Sequence, residues 1–192
     1  MSNDEKIVLD ILKESNAILE GHFLLSSKRH SNRYIQCAKL TTDPNKTKIV
    51  ADILAKKLKD LKIDKLVGPA MGGIIISYEL ARSLNVKAMF TERVDNKMTL
   101  RRGFSVEKGE KILIVEDVVT TAKSSLETIS VLENLGADIV GIASIIDRRT
   151  EIKNIGYNIY SALKLNVENY DELDCELCKN KVEIYKPGSR KI

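Results

Sequence analysis

The segment ILIVEDVVTTAKSS, residues 112–125, joins an apolar run, two adjacent acids and a turn rich in hydroxyl groups. Residues 112–115 are all apolar, which is typical of a parallel strand buried on both faces of a sheet. Residues 125–135 then follow helical spacing. The apolar stripe of that helix consists of Leu126, Ile129, Leu132 and Leu135. The segment therefore predicts a strand, a tight turn and a helix of an α/β fold.

The predicted turn has the features of an anion site. It lies at the carboxyl end of a strand, where open parallel sheets bind their ligands. The N–H groups at the start of the next helix, together with the positive end of its dipole, can hold a phosphate. Four hydroxyl side chains add hydrogen-bond donors, namely Thr120, Thr121, Ser124 and Ser125.

Two carboxylates, Glu116 and Asp117, come directly before this turn. Because they would repel a phosphate that they faced, we expect them to accept hydrogen bonds from sugar hydroxyls beside it. The ligand indicated is a pentose phosphate. The simpler alternative is a turn whose polar side chains cap the helix, and for any single residue capping is the more common role. Capping leaves the combination of two acids and four hydroxyls unexplained.

The whole chain has the composition of one compact domain. Its 192 residues are 43% hydrophobic and 30% charged, close to the averages for globular proteins. The 31 basic and 27 acidic residues give a net charge of +4, and the basic residues are scattered rather than grouped with aromatic ones. This pattern favours small anionic ligands and argues against a nucleic-acid partner.

Two further features concern the compartment. The longest apolar stretch, residues 139–146, is far shorter than the roughly 20 residues that span a bilayer. The amino-terminal segment MSNDEKIVLD is acidic and lacks the apolar core of a signal peptide. We therefore expect a cytoplasmic protein with no membrane partner.

The three cysteines fit a reducing compartment better than a disulfide framework. Cys37 is expected in a buried strand. Cys175 and Cys178 form a CxxC pair, which supplies half of a structural zinc site unless other ligands join it. A redox role would require the pair to open a helix after an early strand. We interpret the pair as a plain structural one and leave metal binding open.

The rest of the chain alternates predicted helices and strands. One helix begins at Asn3 or Asp4 and runs to about Leu19, a hairpin follows at 22–38, and another helix begins at Asp43-Pro44. Further strands are predicted at 65–67, 86–91, 138–146 and 157–165. This order predicts an α/β fold in which a central parallel sheet is flanked by helices.

Two more segments can approach an anionic ligand. The turn GPAMGG, residues 68–73, contains three glycines that let the backbone come close to a ligand. The charged segment 92–109 has few apolar anchors, which is typical of a functional or disordered loop or of a small hairpin. Its Lys97, Arg101 and Arg102 can bring positive charge over a substrate. The alternative is a loop that extends into solvent and binds no ligand.

Arg148 follows another predicted strand, at the same edge of the sheet as the two turns. A guanidinium there can pair with a planar carboxylate, or it can form a surface ion pair with Asp147. Acids, two anion-binding turns and basic residues at one edge fit a pentose that carries phosphate groups at two places. A ribose with a 5-phosphate and a 1-diphosphate meets that description.

The chain resembles the type I phosphoribosyltransferases, whose signature is two apolar residues, two acids and a threonine-rich turn. Residues 114–121, IVEDVVTT, match that signature. The resemblance runs over nearly the full length and is to the short bacterial branch of the family that uses orotate. Its other motifs, in order, are GHFLLSSKRHSNRYIQCA (21–38), GPAMGGI (68–74), FTER (90–93), MTLRRGF (98–104), IIDRR (145–149), the CxxC pair and KPGSR (186–190).

The resemblance implies the type I phosphoribosyltransferase fold as a single domain over residues 1–192. A small hood would come from about residues 1–40 and 160–192. The catalytic residues would be Glu116, Asp117, Lys97 and Arg101, with the two acids on the ribose hydroxyls. Residues implied to bind phosphoribosyl diphosphate are Met71, Gly72, Arg93, Glu116, Asp117, Val118, Val119, Thr120, Thr121, Ala122, Lys123 and Ser124.

Orotate would contact Thr120 and Arg148, with Arg148 pairing with its carboxylate. The implied reaction transfers the phosphoribosyl group to orotate, through an oxocarbenium-like state, and releases diphosphate. Mg²⁺ would be the cofactor, held mainly by the substrate and not by protein ligands. The segment 97–103 would close over the site of a neighbouring subunit, so the resemblance also implies a homodimer with shared active sites.

Other interpretations stay open at this point. A transferase for another base would share the whole sugar-phosphate site, and a non-catalytic regulator would keep the site and use it to sense phosphoribosyl diphosphate. A general nucleotide-binding domain lacks support, since the sequence contains neither GxxxxGK[ST] nor GxGxxG. The family usually carries glycine where this chain has Ala122. If that position needs a positive φ, alanine there costs on the order of 1 kcal/mol or more.

Overall fold

The computed structural model describes residues 1–25, 27–149 and 155–187. Residues 188–192 of the expected hood, which include the last three residues of the KPGSR motif, lie outside the described residues. The helices are α1 (Asn3–Glu14), α2 (Pro44–Lys57), α3 (Gly72–Leu84), α4 (Lys123–Asn134) and α5 (Glu176–Lys179). The strands are β1 (Ile18–Leu24), β2 (His30–Ile35), β3 (Lys65–Pro69), β4 (Lys87–Val94), β5 (Lys97–Leu100), β6 (Lys111–Val119), β7 (Asp138–Asp147), β8 (Ile159–Lys164) and β9 (Asn169–Tyr170).

The main sheet has six strands in the order β5-β4-β3-β6-β7-β8. All neighbouring pairs are parallel except β4 and β5, which form an antiparallel hairpin at one edge. The predicted α/β fold with a central parallel sheet flanked by helices is confirmed. A second, antiparallel sheet has the order β1-β2-β9 and joins the start of the chain to its carboxyl-terminal segment.

The central strand β6 shows why an unbroken apolar run is needed here. Leu113 and Val115 pack into one core cluster with side chains of α1, α2 and α3. Ile112 and Ile114 pack into the other cluster, with side chains of α4. Because successive side chains of a strand point to opposite faces, a strand covered on both sides has no position for a polar residue.

The order of the strands fixes where a ligand can bind. The chain passes from β3 to β4 on one side of β3, whereas β6 lies on the other side and is followed by β7 and β8. The direction of winding therefore reverses between β3 and β6. The helices that follow them, α3 and α4, cover opposite faces of the sheet. In open α/β sheets a crevice forms at such a reversal, at the carboxyl ends of the strands, and ligands bind there.

The structure corrects two local predictions. Helix α1 ends at Glu14 rather than near Leu19, because Asn16 adopts a left-handed conformation with φ 51° that ends the helix. Cys37 is buried, as expected, but it begins a 3-10 helix rather than lying in a strand. The start of the charged segment 92–109 belongs to an antiparallel hairpin, which is one of the alternatives expected for that segment.

The hairpin of β4 and β5 has a sequence signal that the charge pattern obscured. Its two-residue turn consists of Asp95 and Asn96, with φ values of 48° and 61°. Positive φ at both central positions is typical of the turns that suit the twist of a hairpin, and Asp and Asn tolerate it. None of the helices in the described part of the chain is long and apolar enough to cross a membrane.

Candidate functional site

The two turns that were predicted from the sequence meet at the winding reversal. A Cβ added at Gly72 would lie 2.6 Å from Cγ of Asp117, so the carboxylate at the end of β6 rests against the turn after β3. A Cβ at Gly73 would lie 2.4 Å from the carbonyl oxygen of Val115. Both glycines are therefore required for the turn after β3 to lie close to β6.

The first acid, Glu116, is buried, and its Oε1 accepts a hydrogen bond of 3.2 Å from the hydroxyl of Ser125. Burial, followed by the negative charge of Asp117, raises the pKa of Glu116 to about 8. The Glu116 carboxyl group therefore holds a proton at neutral pH in the unliganded protein, and it can donate as well as accept a hydrogen bond.

The second acid, Asp117, accepts a hydrogen bond of 2.8 Å at Oδ1 from the N–H of Val118. Burial raises its pKa above the ordinary aspartate value, and backbone hydrogen bonds oppose that rise. Two partly desolvated carboxyl groups side by side have a strong demand for hydrogen-bond donors or for a cation. Sugar hydroxyls and a metal ion are both suited to meet it.

The turn at residues 120–124, called the phosphate turn below, leaves the first N–H groups of helix α4 open to an anion. Ala122 is the residue before α4 and adopts φ 58° and ψ 15°, so position 122 does require a positive φ. Its methyl side chain cannot cap the helix, and the N–H groups of the first turn are left for a ligand. A cavity of about 80 Å³ lies beside them, lined by residue 116 and residues 118–125. The backbone of Val118 and Val119 completes β6 and leads into this cavity.

The hydroxyl groups of the turn divide into two sets. Thr120 and Thr121 are exposed and Ser124 is half-buried, so these three side chains are open to a ligand. Ser125 is buried, and its hydroxyl donates to Glu116. In this structure the Ser125 hydroxyl is thus directed at the acid pair, whereas a role for it in phosphate binding stays a prediction.

Arg148 lies directly after β7 and next to the end of β6. Its N–H donates to the carbonyl of Val119 over 2.9 Å, and its Nη2 donates to Oδ1 of Asn169 over 3.1 Å. Asp147 pairs with Arg149 instead, through two contacts of 2.9 Å, and both side chains of that ion pair are largely buried. Within the described residues, Arg148 is thus a half-buried guanidinium without a carboxylate partner.

Asn169 is a functional candidate that the sequence did not indicate. It lies on β9, which has two residues and pairs with β2. No local pattern distinguishes such a short strand from a loop, and the contact with Arg148 spans 21 positions of the chain. Only the folded structure shows that Asn169 contacts Arg148.

The basic residues of the β4–β5 hairpin lie apart from the acid pair in this chain. Two strands, β4 and β3, separate β5 from β6 in the sheet. Arg101 and Arg102 lie 4.0 and 3.1 Å from the carboxylate of Glu92. Lys97 is exposed at the start of β5. The structure therefore does not bring Lys97 or Arg101 to Glu116 and Asp117 within one subunit.

Arg93 and Lys123 are linked through one residue of α4. Arg93 forms an ion pair with Glu127, and the ammonium of Lys123 lies 4.0 Å from the same carboxylate. Both cations therefore stand near the first turns of α4. Met71, which precedes α3 in the turn after β3, is 85% exposed.

The chain was compared with known proteins. A family model described as "Phosphoribosyl transferase domain" matches residues 37–176. The orotate phosphoribosyltransferase of Caldanaerobacter subterraneus subsp. tengcongensis is 46% identical over 189 residues, which cover 98% of this chain and 100% of that protein.

Among solved structures, the orotate phosphoribosyltransferase from Aeropyrum pernix superposes with a TM-score of 0.72 at 26% identity, covering 82% of this chain and 93% of that one. UMP synthase of Leishmania donovani gives a TM-score of 0.73 at 25% identity over 85% of this chain, which spans 37% of that longer protein. The family match, the full-length relative and the shared fold agree with the acid pair and phosphate turn described above. The chain therefore belongs to the phosphoribosyltransferase family.

Proposed function

We propose that this protein is an orotate phosphoribosyltransferase. It would transfer the 5-phosphoribosyl group from phosphoribosyl diphosphate to orotate, giving orotidine 5′-phosphate and diphosphate in pyrimidine biosynthesis. The observation that carries the choice of base is Arg148, a half-buried guanidinium next to the end of β6 that has no carboxylate partner among the described residues. A carboxylated base supplies that partner, and a neutral base does not. The full-length relative that bears this name supports the proposal.

Phosphoribosyl diphosphate would lie across the winding reversal. The 5-phosphate would occupy the cavity at residues 120–124, where helix N–H groups and three open hydroxyls converge. The ribose hydroxyls would bind Glu116 and Asp117. The diphosphate would then extend toward the turn at residues 70–73, which rests against Asp117. This placement accounts for both turns and for the acids between them.

The residues of the chain would act by binding and orienting rather than by forming a covalent intermediate. As diphosphate leaves, the anomeric carbon gains positive charge, and the negative charge of Asp117 favours that oxocarbenium-like state. The protonated Glu116 can donate its hydrogen bond to a ribose hydroxyl while Asp117 accepts one. Arg148, held by Asn169, would orient orotate so that its ring nitrogen attacks the face opposite the diphosphate.

The acid pair also fits a divalent cation. Asp117 is a desolvated carboxylate placed between the ribose side and the diphosphate side of the site, and oxygen ligands of this kind suit Mg²⁺. We propose Mg²⁺ as the cofactor, held mainly by oxygens of the substrate and approached by Asp117. When bound, the ion would neutralise charge that develops on the departing diphosphate.

We further propose a homodimer in which each site receives the β4–β5 hairpin of its neighbour. In support, Lys97 and Arg101 are remote from the acid pair of their own subunit. The first residues of α3 expose an apolar stripe beside the diphosphate turn, formed by Met71, Ile75 and Tyr78, which are 85, 51 and 70% exposed. Exposed apolar side chains that line up in this way are typical of a contact surface.

The proposal also covers the role of the small sheet and the cellular compartment. The small sheet of β1, β2 and β9 would serve as a hood on the orotate side, because Asn169 of β9 contacts Arg148. We place the enzyme in the cytoplasm, where its phosphorylated substrates are made and where its three free cysteines would stay reduced.

A panel of bases tests the function. The purified protein, given Mg²⁺ and phosphoribosyl diphosphate, should consume orotate and release diphosphate in equal amounts. Adenine, hypoxanthine and uracil should turn over far more slowly. Asp117→Asn, measured in parallel, should abolish most of the turnover while the folded secondary structure persists. Equal or faster turnover of a neutral base would overturn the orotate assignment, and binding of phosphoribosyl diphosphate without turnover of any base would favour a regulator.

A further inference from the structure

A second cluster of chemically active side chains lies outside the site described above. The chain has two histidines and three cysteines. Both histidines and two of the cysteines converge on one point, at which their ligand atoms all lie within 4.8 Å of one another. The members are His22 of β1, His30 of β2, Cys175 immediately before α5, and Cys178 within α5.

Four of the six ligand-atom separations in this cluster are close to those of a tetrahedral metal site. His22 Nε2 and His30 Nδ1 are 3.0 Å apart. Cys175 Sγ lies 3.5 Å from His22 Nε2, and Cys178 Sγ lies 3.8 Å from that atom and 3.2 Å from His30 Nδ1. Zinc bonds of about 2.0–2.1 Å to nitrogen and about 2.3 Å to sulfur, at tetrahedral angles, separate two nitrogens by about 3.3 Å and nitrogen from sulfur by about 3.6 Å.

The hydrogen bonds around His22 point its free lone pair into the cluster. Its Nδ1 lies 2.8 Å from the carbonyl oxygen of Val182, which can only accept, so Nδ1 carries the proton. In the neutral ring Nε2 is therefore unprotonated and available to a metal. A ligand histidine whose other nitrogen donates to a backbone carbonyl is a usual arrangement in metal sites.

Hydrogen bonds among the four groups account for only some of their contacts. His30 Nδ1, Cys175 Sγ and Cys178 Sγ all approach His22 Nε2. That nitrogen has one in-plane lone pair, which accepts one good hydrogen bond. A cation at the centre satisfies all four groups together, since each offers it one lone pair. Three of the four residues are also buried, with 4% exposure for His22, 5% for His30 and 0% for Cys175.

The carboxyl-terminal segment has little apolar core of its own to hold it in place. Among the described residues after Val167, Cys175 is the one buried apolar side chain. Helix α5 has four residues, and β9 has two. Small units that lack a hydrophobic core are commonly held by a metal or by disulfides. Here the four ligands would join that segment to β1 and β2 across about 150 positions of the chain.

We propose that His22, His30, Cys175 and Cys178 form a structural zinc site that fixes the carboxyl-terminal segment to the β1–β2 hairpin. Two thiolates and two imidazoles with no open position are the donor set of a closed structural zinc site. A cavity of about 740 Å³, lined in part by His22, His30 and Cys178, gives an ion access to the cluster. The site would help to keep β9, and with it Asn169, beside Arg148.

Metal analysis of the tag-free protein tests the proposal. Elemental analysis should find one zinc per chain, and X-ray absorption should find two sulfur ligands at about 2.3 Å and two nitrogen ligands at about 2.0–2.1 Å. Cys178→Ser and His30→Gln should each lower the zinc content by about tenfold or more after dialysis. Cys37→Ser removes the cysteine outside the cluster and should leave the zinc content unchanged.

A second measurement on the unaltered chain guards against variants that fail to fold. Removal of the metal by a strong chelator should expose the tail to trypsin at Lys179 and Lys181, and added zinc should restore protection. Zinc-free wild-type protein, equal zinc content in Cys178→Ser, or a Cys175–Cys178 disulfide in protein handled without oxidant would overturn the proposal. None of these readouts depends on transferase activity.

Discussion

The carboxylate of Asp117 lies in the space beside Gly72 that a side chain at position 72 would fill. An added Cβ at Gly72 would be 2.6 Å from both Cγ and Oδ1 of Asp117. The glycine-rich turn after β3 was expected to be open so that the backbone could approach a ligand. The structure shows that the missing side chain at Gly72 first makes room for the acid of the neighbouring strand, and this contact joins the two halves of the site.

Gly72→Ala should therefore displace Asp117 and lower activity. A methyl group there would force the carboxylate or the turn to shift, and a displacement of the order of 1 Å at a positioned catalytic group costs about a hundredfold in kcat/KM. Steady-state kinetics with varied phosphoribosyl diphosphate would measure the loss.

Gly109→Ala is the matched control for this substitution. Gly109 has φ +78°, and a Cβ there would meet nothing within 4 Å. The control should lose some stability through backbone strain, of the order of 1 kcal/mol, and keep its kinetic constants. Wild-type kinetics in Gly72→Ala would mean that the position of Asp117 against the turn has no catalytic importance.

The buried proton of Glu116 predicts a pH dependence of stability. With a pKa of about 8 in the folded protein and 4.5 as the ordinary value, the folded state keeps a proton that the unfolded chain releases. The stabilisation from that proton is complete below about pH 4.5 and is lost as the pH rises through about 8. Glu116→Gln cannot ionise, so it should escape that loss.

Chemical denaturation of the ligand-free protein would measure this difference. Glu116→Gln and wild type should be similarly stable near pH 5, and the variant should be more stable by about 4 kcal/mol near pH 9. Glu20→Gln is the control, because the side chain of Glu20 is 68% exposed and stays in water. A constant difference between Glu116→Gln and wild type across this range would contradict the assigned protonation.

The parts of the site that lie within one strand–turn–helix unit could be predicted from the sequence. The apolar run of residues 112–115, the acids after it and the hydroxyl-rich turn are consecutive, and their physical requirements are local. The sequence also indicates that Ala122 is strained if its position requires a positive φ, because the family pattern has glycine there. The structure shows that the condition applies.

Contacts between distant segments could not be predicted in this way. Cys175 and Cys178 were recognised as half of a possible zinc site, but the other half is separated from them by about 150 positions. His22 and His30 lie in a segment whose pattern predicts a hairpin but does not indicate where the two histidines point. Asn169 carries no local signal either. In each case the missing information was the packing of the carboxyl-terminal segment on β1 and β2.

Arg148→Gln should raise the KM for orotate much more than the KM for phosphoribosyl diphosphate. The substitution removes a guanidinium that would pair with the orotate carboxylate, and a charge-assisted bond of this kind is worth about tenfold or more in binding. Initial rates at saturating phosphoribosyl diphosphate would give the change. A uniform loss with both substrates would instead indicate a general structural role.

Asn169→Ala should change the orotate KM in the same direction but by less. Asn169 touches Nη2 of Arg148 and would hold it in position without contacting the base. Arg82→Gln is the control for loss of a positive charge, because Arg82 lies on the exposed side of α3 and pairs with Glu79. If Asn169→Ala left the orotate KM at the wild-type value, the positioning role would be wrong.

Hybrid dimers would decide whether the β4–β5 hairpin acts on the neighbouring site. Arg101→Ala impairs the hairpin and keeps the acid pair, whereas Asp117→Asn keeps the hairpin and impairs the acid pair. Each variant alone should be nearly inactive. If the hairpin crosses to the partner, a hybrid dimer has one site with an intact acid pair and an intact hairpin. When equal amounts of the two variants assort at random, about half of the dimers are hybrids with one complete site each. The mixture should then have about a quarter of the wild-type activity.

Co-expression with two different affinity tags would isolate the hybrid itself, which should have about half of the wild-type activity because one of its two sites is complete. If Arg101 instead served its own subunit, each chain of the hybrid would carry one defect in its own site, and the hybrid would be as inactive as the parents. Sedimentation of the same sample would verify that it is dimeric. The proposed contact surface at Met71, Ile75 and Tyr78 can be tested with Tyr78→Glu, which places a charge on that surface. This variant should form a weaker dimer and therefore lose activity at low protein concentration. Its activity should recover as the protein concentration rises.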